Sequence, residues 1–346
     1  MAYTTISKST DYFNTLLYVG NGSNAHAITG VGFKPDFVWT KNRDHAADHY
    51  IHDIVRGVEK AIRPNNNSGT YDTSINLQSF NSDGFTLGTQ DGLNKSGDNI
   101  VSWNWLAGGS QGSSNTDGSI NTTYTSANTT AGISIIQYSG NGSAGATIGH
   151  GLGAAPKCVI IKRTDTTSNW IFTNAGLGFN KFLYLNDTAT ATTNSGTFND
   201  TAPSASVITL GSWNDVNNSS GTYVAYAFAE KQGFSKFGRY TGTGSSNGPF
   251  VYTGFKPAFV LVKNTSASNN WFLQDNQRAG YNEANYLLKP NLSGVEDTGN
   301  HIDILSNGFK TIVTSANCNG SGNNIIYMAF AEMPLVGSNN TPALGR

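Results

Sequence analysis

Three ten-residue stretches limit what this chain can fold into: GFKPDFVWTK at 32–41, GAAPKCVIIK at 153–162 and GFKPAFVLVK at 254–263. Each has a glycine, a proline three residues later and an apolar run ending in lysine, so Pro35, Pro156 and Pro257 correspond, as do Lys41, Lys162 and Lys263. Upstream lie YVGNG, YSGNG and YTGTG; downstream lie NIVSWNWLA, TYVAYAFA and NIIYMAFA, ending at Ala107, Ala229 and Ala331. Markers that keep their order three times describe a tandem repeat, not a chance match. The expected organisation is an N-terminal segment 1–15 that could dock as a strand, and repeats at 16–110, 132–230 and 231–333. A Gly/Ser/Thr/Asn linker at 111–131 and a tail at 334–346 complete it.

Each repeat of about 100 residues exceeds a solenoid unit and can close a core of its own. Apolar runs of four to seven residues, such as TLLYV, DFVWT, YIHDIV, INLQSF and GFTL, alternate with turn residues. That spacing suits antiparallel strands and not helices. In the last run Val101, Trp103 and Trp105 alternate, as do Val224, Tyr226 and Phe228, and Ile326, Met328 and Phe330. A period of two predicts one buried face. The expected fold is all-β: three tandem antiparallel β-sandwiches, jelly-roll-like, packed in one body.

The 40 glycines would suit disorder, but 37% hydrophobic and 11% aromatic residues supply a core. Net charge is −1 with 12% charged residues, which gives no electrostatic footprint for nucleic acid. No apolar run approaches the length of a membrane span. The start, MAYTTISKSTDYFNT, lacks the charged-then-apolar pattern of a secretory leader. Two cysteines, Cys158 and Cys318, are too few for a disulfide framework and are expected as buried thiols of a chain made in a reducing cytoplasm.

The stretch KNRDHAADHYIHDIVRG at 41–57 gathers His45, His49 and His52 in the manner of a metal site. Internal comparison weakens that reading. Eight residues after the repeat lysine stand His49, Trp170 and Trp271; twelve after stand Asp53, Asn174 and Asp275; fifteen after stand Arg56, Leu177 and Arg278. A histidine that replaces a large ring is expected to pack, and on a strand residue 52 would face away from 45 and 49. No metal and no cofactor are expected. Asp53 with Arg56, and Asp275 with Arg278, are expected as a repeated ion pair pinning a turn, with bidentate geometry suiting such a clamp.

No nucleophile elbow, zinc-helix motif or P-loop is present. The glutamates Glu59, Glu230, Glu283, Glu296 and Glu332 do not form an evident pair for glycoside hydrolysis. No catalytic residue is assigned and the protein is expected not to be an enzyme. Trp170, Trp271, Trp213 and Tyr281 are the candidate platforms for stacking a glycan.

The motifs YVGNG…ITGVGFKPDFVWTKNR…HDIVRG, LQSFNSDGFTLG, SGNGSAGATIGHGLGAAPKCVIIKR and GPFVYTGFKPAFVLVK…IYMAFAE make the chain resemble a family of virion structural, tail-fibre-like repeat proteins of marine tailed phages. The resemblance runs over about residues 1 to 336. It implies a non-enzymatic bacteriophage virion protein made in the host cytoplasm, acting as a tail-fibre or adhesin component in host attachment. The alternative is a capsid-decorating or head-fibre protein, with three repeats standing in for a trimer. Implied partners are other virion proteins, a host surface glycan and further copies of the chain, with no nucleic acid and no membrane insertion.

Overall fold

The computed structural model describes residues 3–346 apart from 280, 281, 283, 284, 300, 338, 340, 341 and 343–346. The chain is nearly all β, with 42% of residues in strands and 6% in helices, and its named sheets are antiparallel. One strand order occurs three times. In the first repeat Phe13–Val19, Asn99–Trp105, Phe37–Asn42 and His49–Asp53 lie side by side. In the second the order is Ile133–Ser139, Thr222–Phe228, Cys158–Arg163, Trp170–Asn174, and in the third Ser235–Thr241, Asn324–Pro334, Phe255–Asn264, Phe272–Asp275. The register recurs with the order: Trp105 opposes Phe13 and Phe37, Phe228 opposes Ile133 and Cys158, and Phe330 opposes Ser235 and Phe259.

Each large sheet is accompanied by a short one: His26–Thr29, Gly84–Leu87 and Leu77–Asn81; then Thr147–Gly149 and Val207–Thr209; then Phe250–Tyr252, Gly308–Thr311 and Ile302–Leu305. In the second repeat Ile136, Tyr138, Val159, Ile161 and Tyr223 of the large sheet share a buried cluster with Ile148 and Ile208 of the short one. The last strand departs from the expected single buried face. Val101, Trp103, Trp105, Val224, Tyr226, Phe228, Ile326, Met328 and Phe330 are buried in a cluster drawn from all three repeats. Their alternating neighbours Ile100, Tyr223, Ala225, Ile325 and Ala329 are buried too. The period of two therefore separates two cores, one between repeats and one within. Phe330 sits at the centre of the first, with ring centroids 5.4 Å from Trp105 and 5.8 Å from Phe228.

The N-terminal segment leads into an edge strand, Phe13–Val19, but the residues before it are anchored on the third repeat. Ile6 is buried, Tyr3 donates to the Gly254 carbonyl at 2.9 Å, and the Tyr12 and Phe234 rings meet edge-on at 6.1 Å. The linker is built into the fold: Tyr124–Asn128 adds a strand to the second sheet beside Ile133–Ser139, and Thr122 and Ser126 are buried. Among the described residues no helix is long and apolar enough to cross a membrane.

Candidate functional site

The residues singled out by internal comparison converge on the seams between repeats. Trp170 and Trp271 are 0% and 1% exposed. Each indole reaches out of its own repeat: Trp170 Nε1 donates to the Arg63 carbonyl at 3.0 Å, and Trp271 Nε1 donates to the Tyr184 carbonyl at 2.9 Å. Arg63, Tyr184 and Lys289 are equivalent, each following the residue (Ile62, Leu183, Leu288) that pairs with Ile51, Phe172 or Leu273. The third member of the column is His49. Its Nδ1 accepts from Trp39 Nε1 at 3.1 Å, and the Lys289 backbone faces the ring, although Nε2 makes no hydrogen bond of normal geometry. Two of the four candidate sugar platforms are thus excluded: buried rings whose N–H groups are already used cannot stack on a glycan. Trp213 is half-buried against Phe182, at 5.1 Å between centroids, and Tyr281 lies outside the described residues.

A cycle appears in the backbone. The carbonyls of Arg43, Thr164 and Thr265 accept from the amides of Glu296, Thr70 and Ala191, which lie in the third, first and second repeats. The repeat lysines add a further layer. Lys162 Nζ donates to the Asn67 carbonyl at 3.1 Å and the Ser168 carbonyl at 2.6 Å; Lys263 Nζ donates to Thr188 at 2.9 Å and Asn269 at 2.7 Å. Lys41 Nζ donates to Asn42 at 2.6 Å and His45 at 3.4 Å. Burial pushes Lys41, Lys162 and Lys263 down to about 8, 7 and 8. On the seam between the third and first repeats Glu296 bridges Arg43 at 2.7 Å and Arg278 at 2.9 Å.

The aspartate–arginine pairs form within turns and extend across seams. Arg56 Nε meets Asp53 Oδ2 at 2.6 Å and the Arg56 amide donates to Oδ1 at 2.8 Å; in the third repeat the distances are 2.7 and 3.0 Å. The side-chain contact is single. The remaining N–H groups of Arg56 serve the Lys60 and Ile51 carbonyls and those of Arg278 the Leu273 carbonyl and Glu296, so the expected fork-to-fork geometry is replaced by a turn cap. Each carboxylate also accepts from another repeat: Asp53 from the Tyr226 hydroxyl at 2.7 Å, Asp275 from Trp103 Nε1 at 3.0 Å. The third member of that facing column is Met328, which has no donor. There the acid becomes Asn174, which donates to the Tyr327 carbonyl at 3.1 Å, and the arginine becomes Leu177. The change at two positions follows from the chemistry of a residue in the next repeat.

The histidines do not converge. His45 is exposed beside Lys95, His49 lies in the seam, and His52 is buried with neither ring nitrogen bonded. Burial pushes His52 down to about 3. Among the described residues no group of three or more histidine, cysteine, aspartate or glutamate side chains is placed to hold a metal. Cys158 and Cys318 are buried free thiols, and burial pushes Cys318 up to about 12.

A repeated asparagine is absent from the list of candidates that sequence reasoning produced. Asn94, Asn217 and Asn319 end three four-residue helical turns, Asp91–Asn94, Asn214–Asn217 and Ala316–Asn319. Each Oδ1 accepts one amide (from Asn21, Asn141 or Thr243, at 2.9, 2.8 and 2.7 Å). Each Nδ2 donates to two carbonyls, as Asn217 does to Ser143 and Gly211 at 2.9 Å. The marker tyrosines Tyr18, Tyr138 and Tyr240 donate to the carbonyl just before each asparagine, at 2.9, 2.6 and 2.7 Å. The Gly20, Gly140 and Gly242 of the same markers are required by contact, since a Cβ would lie 2.2–2.3 Å from a backbone oxygen of the helical turn's end. The signal was visible as SGDN, SSGT and SGNN leading into the last strand, each starting two residues after that asparagine.

Compared with known proteins, residues 8–334 match one family model, described as Domain of unknown function (DUF7483). No curated protein and no solved structure matches the chain.

Proposed function

This chain belongs to the DUF7483 family, and we propose that it is a non-catalytic structural protein in which three copies of one β-sandwich module close into a ring that stands in for a trimer. The observation that carries this reading is a cyclic set of backbone bonds, in which the amides of Thr70, Ala191 and Glu296 donate to the equivalent carbonyls Thr164, Thr265 and Arg43 of another repeat. A chain with three cyclically arranged repeats suits a threefold position on a larger shell. The charged and aromatic residues singled out in the sequence support a structural role, because Asp53, Arg56, Asp275, Arg278, Trp170 and Trp271 are committed to internal hydrogen bonds. The placement on a phage virion rests on the sequence resemblance, and within it capsid decoration becomes the leading role because two of the expected glycan platforms are buried.

The tail-fibre or adhesin reading is kept by one observation: Phe250 and Tyr252 stand 47% and 49% exposed on one strand. Electron cryomicroscopy of particles carrying the protein separates the two. Capsid decoration places one chain over a threefold capsid position. Density at the tail tip would favour the adhesin, and absence of the chain from the particle would overturn both.

A further inference from the structure

We propose that the face of the third repeat carrying Phe250 and Tyr252 binds a neutral saccharide. The strand Phe250–Tyr252 lies at the edge of its short sheet, with Val251 turned inward opposite Phe309. Ile28 and Ile148 occupy the same place in the other repeats, opposite Phe85 and Ile208. Their neighbours are small: Ala27 and Thr29, both exposed, in one, and Thr147 and Gly149, covered by Ser119 and Asn115, in the other. The fold at this position therefore does not call for aromatic rings. Two large rings left about half in water, side by side on one face, are what a binding surface presents.

Beside Tyr252 lies a cleft of about 270 Å³ whose walls include Tyr3, Glu230, Gln232 and Lys236. Gly254 holds the two phenols against the backbone: its φ is +83°, and a Cβ there would meet the Tyr3 hydroxyl at 2.7 Å and the Tyr252 hydroxyl at 3.5 Å. Tyr3 donates to the Gly254 carbonyl, which fixes the floor of the cleft. Among the described residues neither Glu230 nor Lys236 forms a salt bridge. Among the described residues Glu230 accepts one bond, of 3.3 Å, from the Phe237 amide. A carboxylate acceptor and an ammonium donor next to an exposed ring match a sugar, whose C–H face stacks and whose hydroxyls both give and take hydrogen bonds. One charge of each sign at the rim favours a neutral ligand over an acidic one.

The site would serve the host-contact reading, but its test is independent of where the chain sits on a particle. Labelled full-length protein is applied to a printed array of neutral glucose, galactose and mannose oligosaccharides. The native chain is expected to bind at least one of them. Tyr252→Ala should weaken that binding about tenfold, on the order of one lost ring contact; Tyr252→Phe should keep most of it, and Thr147→Ala at the sister position should leave it unchanged. Melting curves identify any variant that has unfolded. No signal from the native chain, unchanged binding by a folded Tyr252→Ala variant, or binding confined to acidic sugars would overturn the proposal.

Discussion

The indole Nε1 of Trp271 donates to the backbone carbonyl of Tyr184 at 2.9 Å, across the boundary between the third and second repeats. Tyr184 ends the strand Lys181–Tyr184 and Trp271 directly precedes the strand Phe272–Asp275, so the bond fixes the angle at which two sheets meet. Trp271→Ala removes a fully buried ring and leaves that carbonyl without its partner. The expected loss is ~3–5 kcal/mol, the range for large buried aromatics. Trp271→Phe should lose about 1–2 kcal/mol, mainly the hydrogen bond. Urea titration of the two variants measures both. A loss below ~0.5 kcal/mol for the alanine variant would place the ring on the surface.

Asn217 ties the Asn141–Ser143 turn to the end of a helical turn through one accepted and two donated bonds to backbone. Asn217→Ala should cost about 3 kcal/mol, since buried backbone groups lose their partners together. Asn217→Asp, nearly the same shape, should cost at least as much, because a carboxylate would face two carbonyls. If the aspartate variant were as stable as the native chain in a thermal melt, the assigned direction of these bonds would be incorrect.

How much of this could be read from the sequence depends on the distance between partners. Pro35, Lys41 and their counterparts revealed the period, and the alternation at Val101, Trp103 and Trp105 located a strand, because both are local patterns. The purpose of the marker tyrosines and glycines was hidden, since Tyr138 is bonded to a carbonyl 78 residues away. Burial of both faces of the last strand was hidden because the second face meets other repeats. The linker strand Tyr124–Asn128 looked like a tether because its polar residues pair through backbone, which composition does not register. For the candidate site, the column of His49, Trp170 and Trp271 was legible as a column. That it packs was legible from the histidine among the indoles; its direction, across a seam into another repeat, was not.

Asn174 stands where the other repeats have an aspartate, and it faces the Tyr327 carbonyl at 3.1 Å. Asn174→Asp would set a buried carboxylate against that carbonyl with no arginine beside it. The expected cost is about 3 kcal/mol, the lower end for an uncompensated buried charge. Adding Leu177→Arg should recover part of the loss by rebuilding the cap seen at Arg56 and Arg278. Chemical denaturation of the single and double variants checks this. A double variant less stable than the single would contradict the link between the two positions.

His52 is buried without a partner and is pushed down to about 3. The unfolded chain takes up a proton near the ordinary histidine range of about 6.5, whereas the folded chain does not until about 3. Stability from this group is therefore lost as pH falls through that window, and nothing is lost above it. His52→Gln, which copies Gln274 of the third repeat, should show a smaller drop in melting temperature between neutral and mildly acidic pH. An equal drop in native and variant chains would assign the acid sensitivity elsewhere.

The central claim is that the three repeats are interlocked, not merely strung together. Scanning calorimetry of the whole chain tests it most directly, through the ratio of the calorimetric to the van't Hoff enthalpy. Backbone bonds that run cyclically through all three repeats, with indole, lysine and carboxylate contacts across individual seams, predict one transition and a ratio of about 1. Separable transitions, or a ratio of about 3, would mean that each repeat unfolds alone and would contradict the closed ring.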